Sequence, residues 1–426
     1  MTRRRQGVAL PGNRWDLLDG RWPDEAPAVS VIVAHYRQPA QLALTLAALR
    51  LQDHPADRLQ IIVADDGSPE PPAVPGDVEL VRHDDRGFRL AAVRNLGAAA
   101  AHGDVLIFLD ADTTPEPAFV RELSRLPALA PDCVTVGRRR HAHLAGVAAD
   151  RLAVDAAQRA LPEPSWLAEE YRRSENLLHA GDRSYRHVIG AVIACSREMF
   201  DATGGFDESF TTYGGEDWEW TYRAWLRGAL LAHVPDAVAW HDGPDAAGRD
   251  EGAVARRNAE TLRLSDLIPV SGSAPRGVRP AHADIAIVPP AGTSAGQRFL
   301  AVDSTIAALG ASAVRAGVQP GPDDEDAGAA FDRVRVVVEL LRPIRVAADT
   351  DVLSSAVARL ERERLGEITL TTPAGDPLVR VASTRARARA ERWRRSDLFA
   401  TASVPTTAIL PVTDEPDLAA YLGGWG

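Results

Sequence analysis

The chain has 426 residues, with 48 basic and 59 acidic side chains, a net charge of −11, 45% apolar and 25% charged residues. Those proportions are globular and the length allows two domains, which excludes a disordered, collagenous or coiled-coil chain. The acidic balance argues against general nucleic-acid binding, no run reaches the ~18 apolar residues of a membrane span, and all 48 basic side chains are Arg, which excludes lysine chemistry such as a Schiff base.

Residues 1–27 are a polar, Pro-containing lead-in whose basic start lacks the apolar core of a signal peptide. Cys133 and Cys195 each sit in an apolar run and read as buried free thiols, which fits a cytoplasmic protein. Val29–Ala34 reads as a buried strand, and Pro39 opens a helix to Leu51 with Leu42, Leu46 and Leu49 on one face. Leu59–Ala64 is a second strand, ending in Asp65-Asp66-Gly67-Ser68, and Val78–Arg82 a third. Ala91–Ala101 is an Ala-rich helix. Val105–Leu109 is a fourth strand ending in Asp110-Ala111-Asp112, and Pro115 and Pro117 introduce another helix. This alternation over 27–130 predicts a mostly parallel sheet with helices on both faces, the core of a first α/β domain expected over 28–264. Ligands of such sheets sit beyond the carboxyl ends of the strands, where both acidic pairs fall.

Residues 135–187 are less regular. Arg138-Arg139-Arg140 follows a strand and reads as a solvated charge run, or as a contact to an anionic acceptor or a diphosphate. Val188–Ala194 is predicted as a strand and Glu216–Arg227 as a helix. Leu230–Val234 and Ala237–Trp240 read as two short strands ending at His241. A linker is expected over 265–282 and a smaller α/β domain over 283–426. Its strands are expected at Ile285–Val288, Val334–Leu341, Ile368–Thr371 and Val379–Val381, its helices at Asp303–Leu309, Leu353–Leu365 and Thr384–Arg395. Ile344–Asp351 echoes the Phe108–Asp112 stretch, but Ile409–Asp414 offers a rival register, so a degenerate repeat competes with a docking, acceptor-selecting or oligomerising unit. The Arg-rich helix reads as solvated, or as a contact to a membrane surface or an acidic acceptor.

Three places carry chemistry. Asp110 and Asp112, two positions apart after an apolar strand, offer oxygen ligands suited to Mg²⁺ or Mn²⁺. Glu216-Asp217 opens a helix after two glycines; the acids either offset the helix dipole or meet a ligand that the glycines let approach. His241 is a polar loop residue or a neutral imidazole ligand.

Together these segments resemble a family 2 glycosyltransferase of the GT-A fold over residues 28–245. The matching stretches are Val29–Tyr36, Ala64–Ser68, Gly87–Gly97, Phe108–Asp112, Gly204–Asp207 and Tyr213-Gly-Gly-Glu-Asp-Trp-Glu219 with Arg223. The latter half resembles the galactosyltransferase-like segment of β4-galactosyltransferases, chondroitin polymerases and polypeptide GalNAc-transferases. The resemblance implies a UDP-sugar donor, with Tyr36 and Asp66 at the base and ribose and Arg94 and Asn95 near the nucleotide. Asp112 and His241 would ligate Mn²⁺ (or Mg²⁺), with Asp110 at the ribose or a metal-bound water. Asp217 would be the general base of an inverting transfer, and Glu216 would bind donor sugar or acceptor hydroxyls. Tyr213 is the candidate for acceptor stacking. Trp218, Trp220 and Trp225 share a helical register and read as core before sugar platform, with Trp218 kept as a tentative acceptor contact.

The expected donor sugar is a hexose or N-acetylhexosamine. The expected acceptor is a glycan, lipid-linked sugar, peptide or small molecule. No nucleic-acid partner and no membrane span is expected; a cytoplasmic place is, with peripheral contact at the inner membrane face and a homo-oligomer through the C-terminal domain as further expectations. The rival readings are a nucleotidyltransferase, which would want a basic residue and a Gly-rich loop near the first strand, and a non-catalytic nucleotide-sugar or glycan-binding scaffold.

Overall fold

A computed structural model of the chain describes residues 7–244, 253–278, 280–310 and 331–423; the basic start over 1–6 lies outside them. Two compact units emerge, Met1–Trp225 with Ala229–Glu260, and Leu226–Gly228 with Thr261–Gly426.

The first unit is built on a nine-stranded sheet of order β3-β2-β1-β4-β8-β6-β9-β5, with β7 beside β6. Its strands are β1 Val29–His35, β2 Leu59–Asp65, β3 Glu79–Arg82, β4 Val105–Asp110, β5 Thr113–Pro115, β6 Cys133–Ala142, β7 Ala160–Leu161, β8 Val192–Ser196 and β9 Leu230–Asp242. The expected α/β architecture is present: β3, β2, β1 and β4 run parallel, and β8 adds antiparallel to β4. All seven residues of β1 are buried, as continuous β-branched runs demand in a covered sheet. Pro39 starts the helix Pro39–Leu49 and Leu42, Leu46 and Leu49 are its buried face. The helix Leu90–Ala100 packs on β1 and β2, and Gly97 is the reason it lies close, since a Cβ there would stand 2.4 Å from Ile32 Cγ2.

Several elements depart from the sequence reading. Arg138-Arg139-Arg140 lies inside β6 rather than after a strand, because the parallel neighbour β9 continues past it. The two short strands expected over 230–240 are one strand, β9, with an irregularity: Gly137 pairs with Val234 but Arg138 with Val238, so Pro235–Ala237 loops out. Proline cannot donate to a ladder, and Gly137 leaves room, since a Cβ there would meet the Ala237 carbonyl oxygen at 2.7 Å. The strand expected at Val188 begins only at Val192.

Glu175, Asn176 and Leu177 form a run of left-handed residues with φ of 51°, 56° and 68°, a conformation that costs roughly 1–2 kcal/mol per non-glycine residue. It is held by Asn176 N–H on the Tyr171 carbonyl (2.7 Å) and Leu177 N–H on Ser174 Oγ (3.0 Å). Asn13, buried in the lead-in, donates from Nδ2 to the Leu177 and Leu231 carbonyls (2.7 and 3.0 Å) and accepts the Leu231 N–H on Oδ1 (3.0 Å). Leu10 and Leu18 join Leu126, Cys133 and Leu230 in one apolar cluster, and both cysteines are buried and in no disulfide.

The second unit holds a five-stranded sheet, β10 Ile285–Val288, β11 Val336–Leu340, β14 Pro377–Ser383, β13 Glu367–Thr371 and β15 Thr401–Pro405, in that spatial order. Ile287, Val338, Ile368, Val381 and Leu353 lie in its core. The two candidate echoes of Phe108–Asp112 turn out to contain the two strands of one small antiparallel ribbon, β12 Ile344–Val346 and β16 Ile409–Pro411. Neither carries its aspartates to the end of a parallel strand. The helix Ala253–Leu267 runs into the segment read as a linker. The Arg-rich helix, Thr384–Trp393, is not solvated all round: Arg385 and Arg389 are buried and lie over the Phe399 ring. Among the described residues no helix is long and apolar enough to cross a membrane.

Gly97→Ala is expected to lower stability by about 1–3 kcal/mol through overpacking against Ile32. Urea denaturation checks this, and an unchanged midpoint would contradict the close approach.

Candidate active site

The parallel register sets the floor of the site: His35 is level with Asp65, and Ala34 with Asp110. Asp65 is consumed internally. It meets His35 Nδ1 at 2.8 Å and accepts the Ser68 N–H and Oγ–H at 3.0 and 2.6 Å. Gln38 N–H donates to His35 Nε2 (3.2 Å), which puts the ring proton on Nδ1. Asp66 faces the cavity and is braced by His83 Nε2 (2.6 Å) and the Arg89 N–H (2.9 Å). The turn between them needs Gly67, at φ +80°, where a Cβ would sit 2.3 Å from the Asp85 nitrogen. Tyr36 donates from Oη to Asp85 Oδ2 (3.1 Å).

Asp110 ends β4 and Asp112 follows it. The pairing of β5 with β9 puts Thr113 opposite His241, and this brings His241 Nε2 to 3.7 Å from Asp112 Oδ2. Gln38 Nε2 donates to the same oxygen (2.9 Å). Burial, and then the neighbouring Asp110, push the Asp112 carboxyl above the usual carboxylate range. An oxygen and an imidazole nitrogen converging in an electronegative spot fit Mn²⁺ or Mg²⁺. Among the described residues no three His, Cys, Asp or Glu side chains assemble around one point.

Arg94 is 1% exposed. Its Nη1 donates to Glu216 Oε1 and its Nη2 to Asp110 Oδ1, each at 2.9 Å. Glu216 and Asp217 open the helix Glu216–Leu226 after Gly214 and Gly215, whose φ values of +97° and +92° suit glycine. Glu216 Oε2 is buried without a hydrogen-bond partner. Burial, then the Asp217 charge, push the Glu216 carboxyl up to about 7 against the opposing pull of Arg94. Asp217 is also raised by burial, while the N–H groups of Gly190 on Oδ2 (2.7 Å) and Trp218 on Oδ1 (2.8 Å) hold it in place.

A cavity of about 320 Å³ is lined by Tyr36, Asp66, Phe88, Asp110, Asp112 and Tyr213, among others. Tyr213 is 63% exposed and meets Phe88 edge-on at 5.9 Å. Arg94 is not among the lining side chains and braces Asp110 instead. Asn95 serves the scaffold: it exchanges hydrogen bonds with the Phe206 backbone (2.9 Å each) and donates to Glu208 (3.0 Å). Trp220 and Trp225 are core. Trp218 is half-buried against Tyr185.

Three neighbours escaped the sequence reading. Gly190 sat inside a presumed strand, where an interior glycine is itself a signal of close approach. Gln38 carries no signal in its local sequence. Glu260 comes from beyond the recognised motifs: a Cβ on Gly214 would sit 3.0 Å from its carboxylate.

The family model described as Glycosyl transferase family 2 matches residues 30–201, and that described as N-terminal domain of galactosyltransferase matches 178–239. Over residues 30–201 the chain is thus similar to the family 2 glycosyltransferases. Chondroitin synthase of Escherichia coli is 29% identical over 270 residues, which is 57% of this chain and 38% of that protein. Validoxylamine A glucosyltransferase of Streptomyces hygroscopicus subsp. jinggangensis is 29% identical over 225 residues, 47% of this chain and 52% of that one. The chain thus spans well under two thirds of these relatives. The crystal structure of GalNAc-T7 with UDP, GalNAc and Mn²⁺ is 20% identical, covers 51% of this chain and 44% of its own, and superposes with a TM-score of 0.39.

Within the matched residues, a Cβ on Gly190 would lie 2.8 Å from Arg94 Nη1 and 3.1 Å from Asp217 Cβ. Gly190→Ala is therefore expected to lower turnover about 10²-fold by displacing both groups, with wild-type turnover the contrary result. Glu216 gives a pH signature. Its folded pKa of about 7 exceeds the reference 4.5, so the folded state holds the extra proton between those values and stability falls as pH rises through that window. Glu216→Gln should flatten this slope in denaturation midpoints measured across it; an identical slope in both proteins would contradict the assignment.

Proposed function

We propose that the chain is a metal-dependent, inverting glycosyltransferase that moves a hexose or N-acetylhexosamine from a UDP-sugar to an acceptor hydroxyl. The observation that carries this is Asp217, a half-buried carboxylate held by two backbone N–H groups one residue from Glu216, which Arg94 ties to Asp110. Asp217 takes the acceptor proton as the hydroxyl oxygen attacks the anomeric carbon and the bond to the UDP oxygen breaks, so an α-linked donor gives a β-glycoside. Burial raises its basicity, which suits a general base. Glu216 holds donor or acceptor hydroxyls through its second oxygen. Tyr36 and Asp66 hold the uridine, as the motif resemblance implies. Asp112 and His241 would hold a divalent cation, which when bound neutralises the diphosphate leaving group. Tyr213, exposed at the cavity rim, supports acceptor stacking. We assign transfer to 28–264, and docking, acceptor selection or assembly to 283–426.

UDP release from a panel of UDP-sugars, with Mn²⁺ or with EDTA, tests this without a known acceptor, because slow transfer to water is read directly. One UDP-sugar should be turned over only with Mn²⁺, and Asp217→Asn should lower its rate by about 10²–10⁴-fold. A wild-type rate in that variant would remove Asp217 as base. Neither release nor calorimetric binding of any UDP-sugar would favour the scaffold reading.

A further inference from the structure

The two carboxylates at the end of β4 are held in different ways. Asp110 is met by the Arg94 guanidinium, whose Nη2 donates to Oδ1 at 2.9 Å, so a full positive charge lies against it. Asp112 is met by neutral donors. The Gln38 amide donates from Nε2 to Oδ2 at 2.9 Å, and the Thr113 hydroxyl reaches Oδ1 more loosely at 3.4 Å. A neutral amide fixes a carboxylate without cancelling its charge, and it takes one of the roughly four acceptor positions that an ionised carboxyl group offers. An arginine in the same place would hold the group and neutralise it together.

Gln38 is itself placed from two sides. It directly precedes the helix Pro39–Leu49, and its N–H donates to His35 Nε2 (3.2 Å). The His35 side chain is 2% exposed and is fixed by the fully buried Asp65 at 2.8 Å. Within the helix, Thr45 Oγ1 donates to the carbonyl of Ala111 (2.8 Å), the residue before Asp112.

The same helix reaches the other half of the pair. Gln41, three positions after Gln38, donates from Nε2 to Asp242 Oδ2 (3.3 Å), and Asp242 follows His241. The other Asp242 oxygen accepts the Leu144 N–H (2.9 Å), and the Asp242 N–H donates to the Asp112 carbonyl (2.9 Å). Two amides at the start of one helix thus hold the Asp112 carboxylate and the segment that carries His241.

We propose that Gln38 and Gln41 are positioning residues for the cation pair, setting Asp112 and His241 in place through neutral hydrogen bonds that leave the negative charge of Asp112 to a divalent cation. The proposal rests on the reading of Asp112 and His241 as cation ligands and adds the groups that hold them. Unbraced, the Asp112 side chain would turn about two bonds beside Asp110, whose like charge repels it. Hydrogen-bond partners of ligating groups are typically worth about 10–100-fold in metal affinity.

Calorimetry on the full chain with UDP, once in Mn²⁺ and once in EDTA, tests this, because the ratio of the two affinities measures what the cation adds. Gln38→Met keeps the length of the side chain and removes the donor. Gln38 makes no side-chain capping bond to its helix, so the fold should tolerate the change. The variant should cut the Mn²⁺ effect on UDP affinity by about tenfold and keep the wild-type affinity in EDTA. Gln41→Met should cut the Mn²⁺ effect by a smaller factor, since Asp242 stands between it and His241, and it serves as the test if the first variant fails to fold. An unchanged Mn²⁺ effect in either folded variant would overturn the brace. An affinity already reduced in EDTA would make Gln38 a contact of the nucleotide, since it lines the same cavity as Asp66 and Asp112, and would overturn the brace as well. No Mn²⁺ effect in the wild type, or one that survives Asp112→Asn, would count against the cation reading itself and take the brace with it.

Discussion

The site depends on one buried cation. Arg94 has almost no solvent contact, yet it joins the end of β4 through Asp110 to the start of the helix that carries Glu216 and Asp217. A guanidinium removed from water this fully is tolerated because carboxylates take up its charge in fixed geometry. The converse also holds: Glu216 and Asp217 sit next to each other in a dry place, and without Arg94 their mutual repulsion would be unopposed by the nearest cation. The end of β4 and the start of the helix are thereby one electrostatic unit, although 122 residues separate Arg94 from Glu216.

Strand pairing does the rest of the positioning. Asp112 and His241 lie far apart in sequence, and the short β5 against the end of β9 is what makes them neighbours. The same strand β9 carries His233 near its start and loops out at Pro235 before reaching His241.

Much of this was legible in the chain itself. Runs such as Leu59–Ala64 and Val105–Leu109, each followed by acids and then Gly or Pro, mark parallel strands and place Asp66, Asp110 and Asp112 at their ends. Local pattern suffices there because a covered parallel strand is apolar throughout. It fails where a partner decides. Arg138-Arg139-Arg140 reads as a solvated charge run after a strand, yet β9 on one side and Glu163 beside it keep it in a strand. Asn95 belongs to a recognisable motif, but only the tertiary structure shows its amide spent on the Phe206 backbone. Gln38 and Glu260 are visible only once the chain is folded, since their importance lies in what they approach.

The buried Asn13 bears on where this domain can be cut. The segment before β1 reads as a lead-in, but its asparagine completes the backbone hydrogen bonding of Leu231, in a strand at the interior of the sheet, and caps the carbonyl of the left-handed Leu177. A fragment begun at residue 28 would keep every motif residue and still expose those buried backbone groups, together with the apolar surface that Leu10 and Leu18 cover. The segment from Leu10 to Leu18 is thus part of the folded domain, although it lies well upstream of the first recognisable strand.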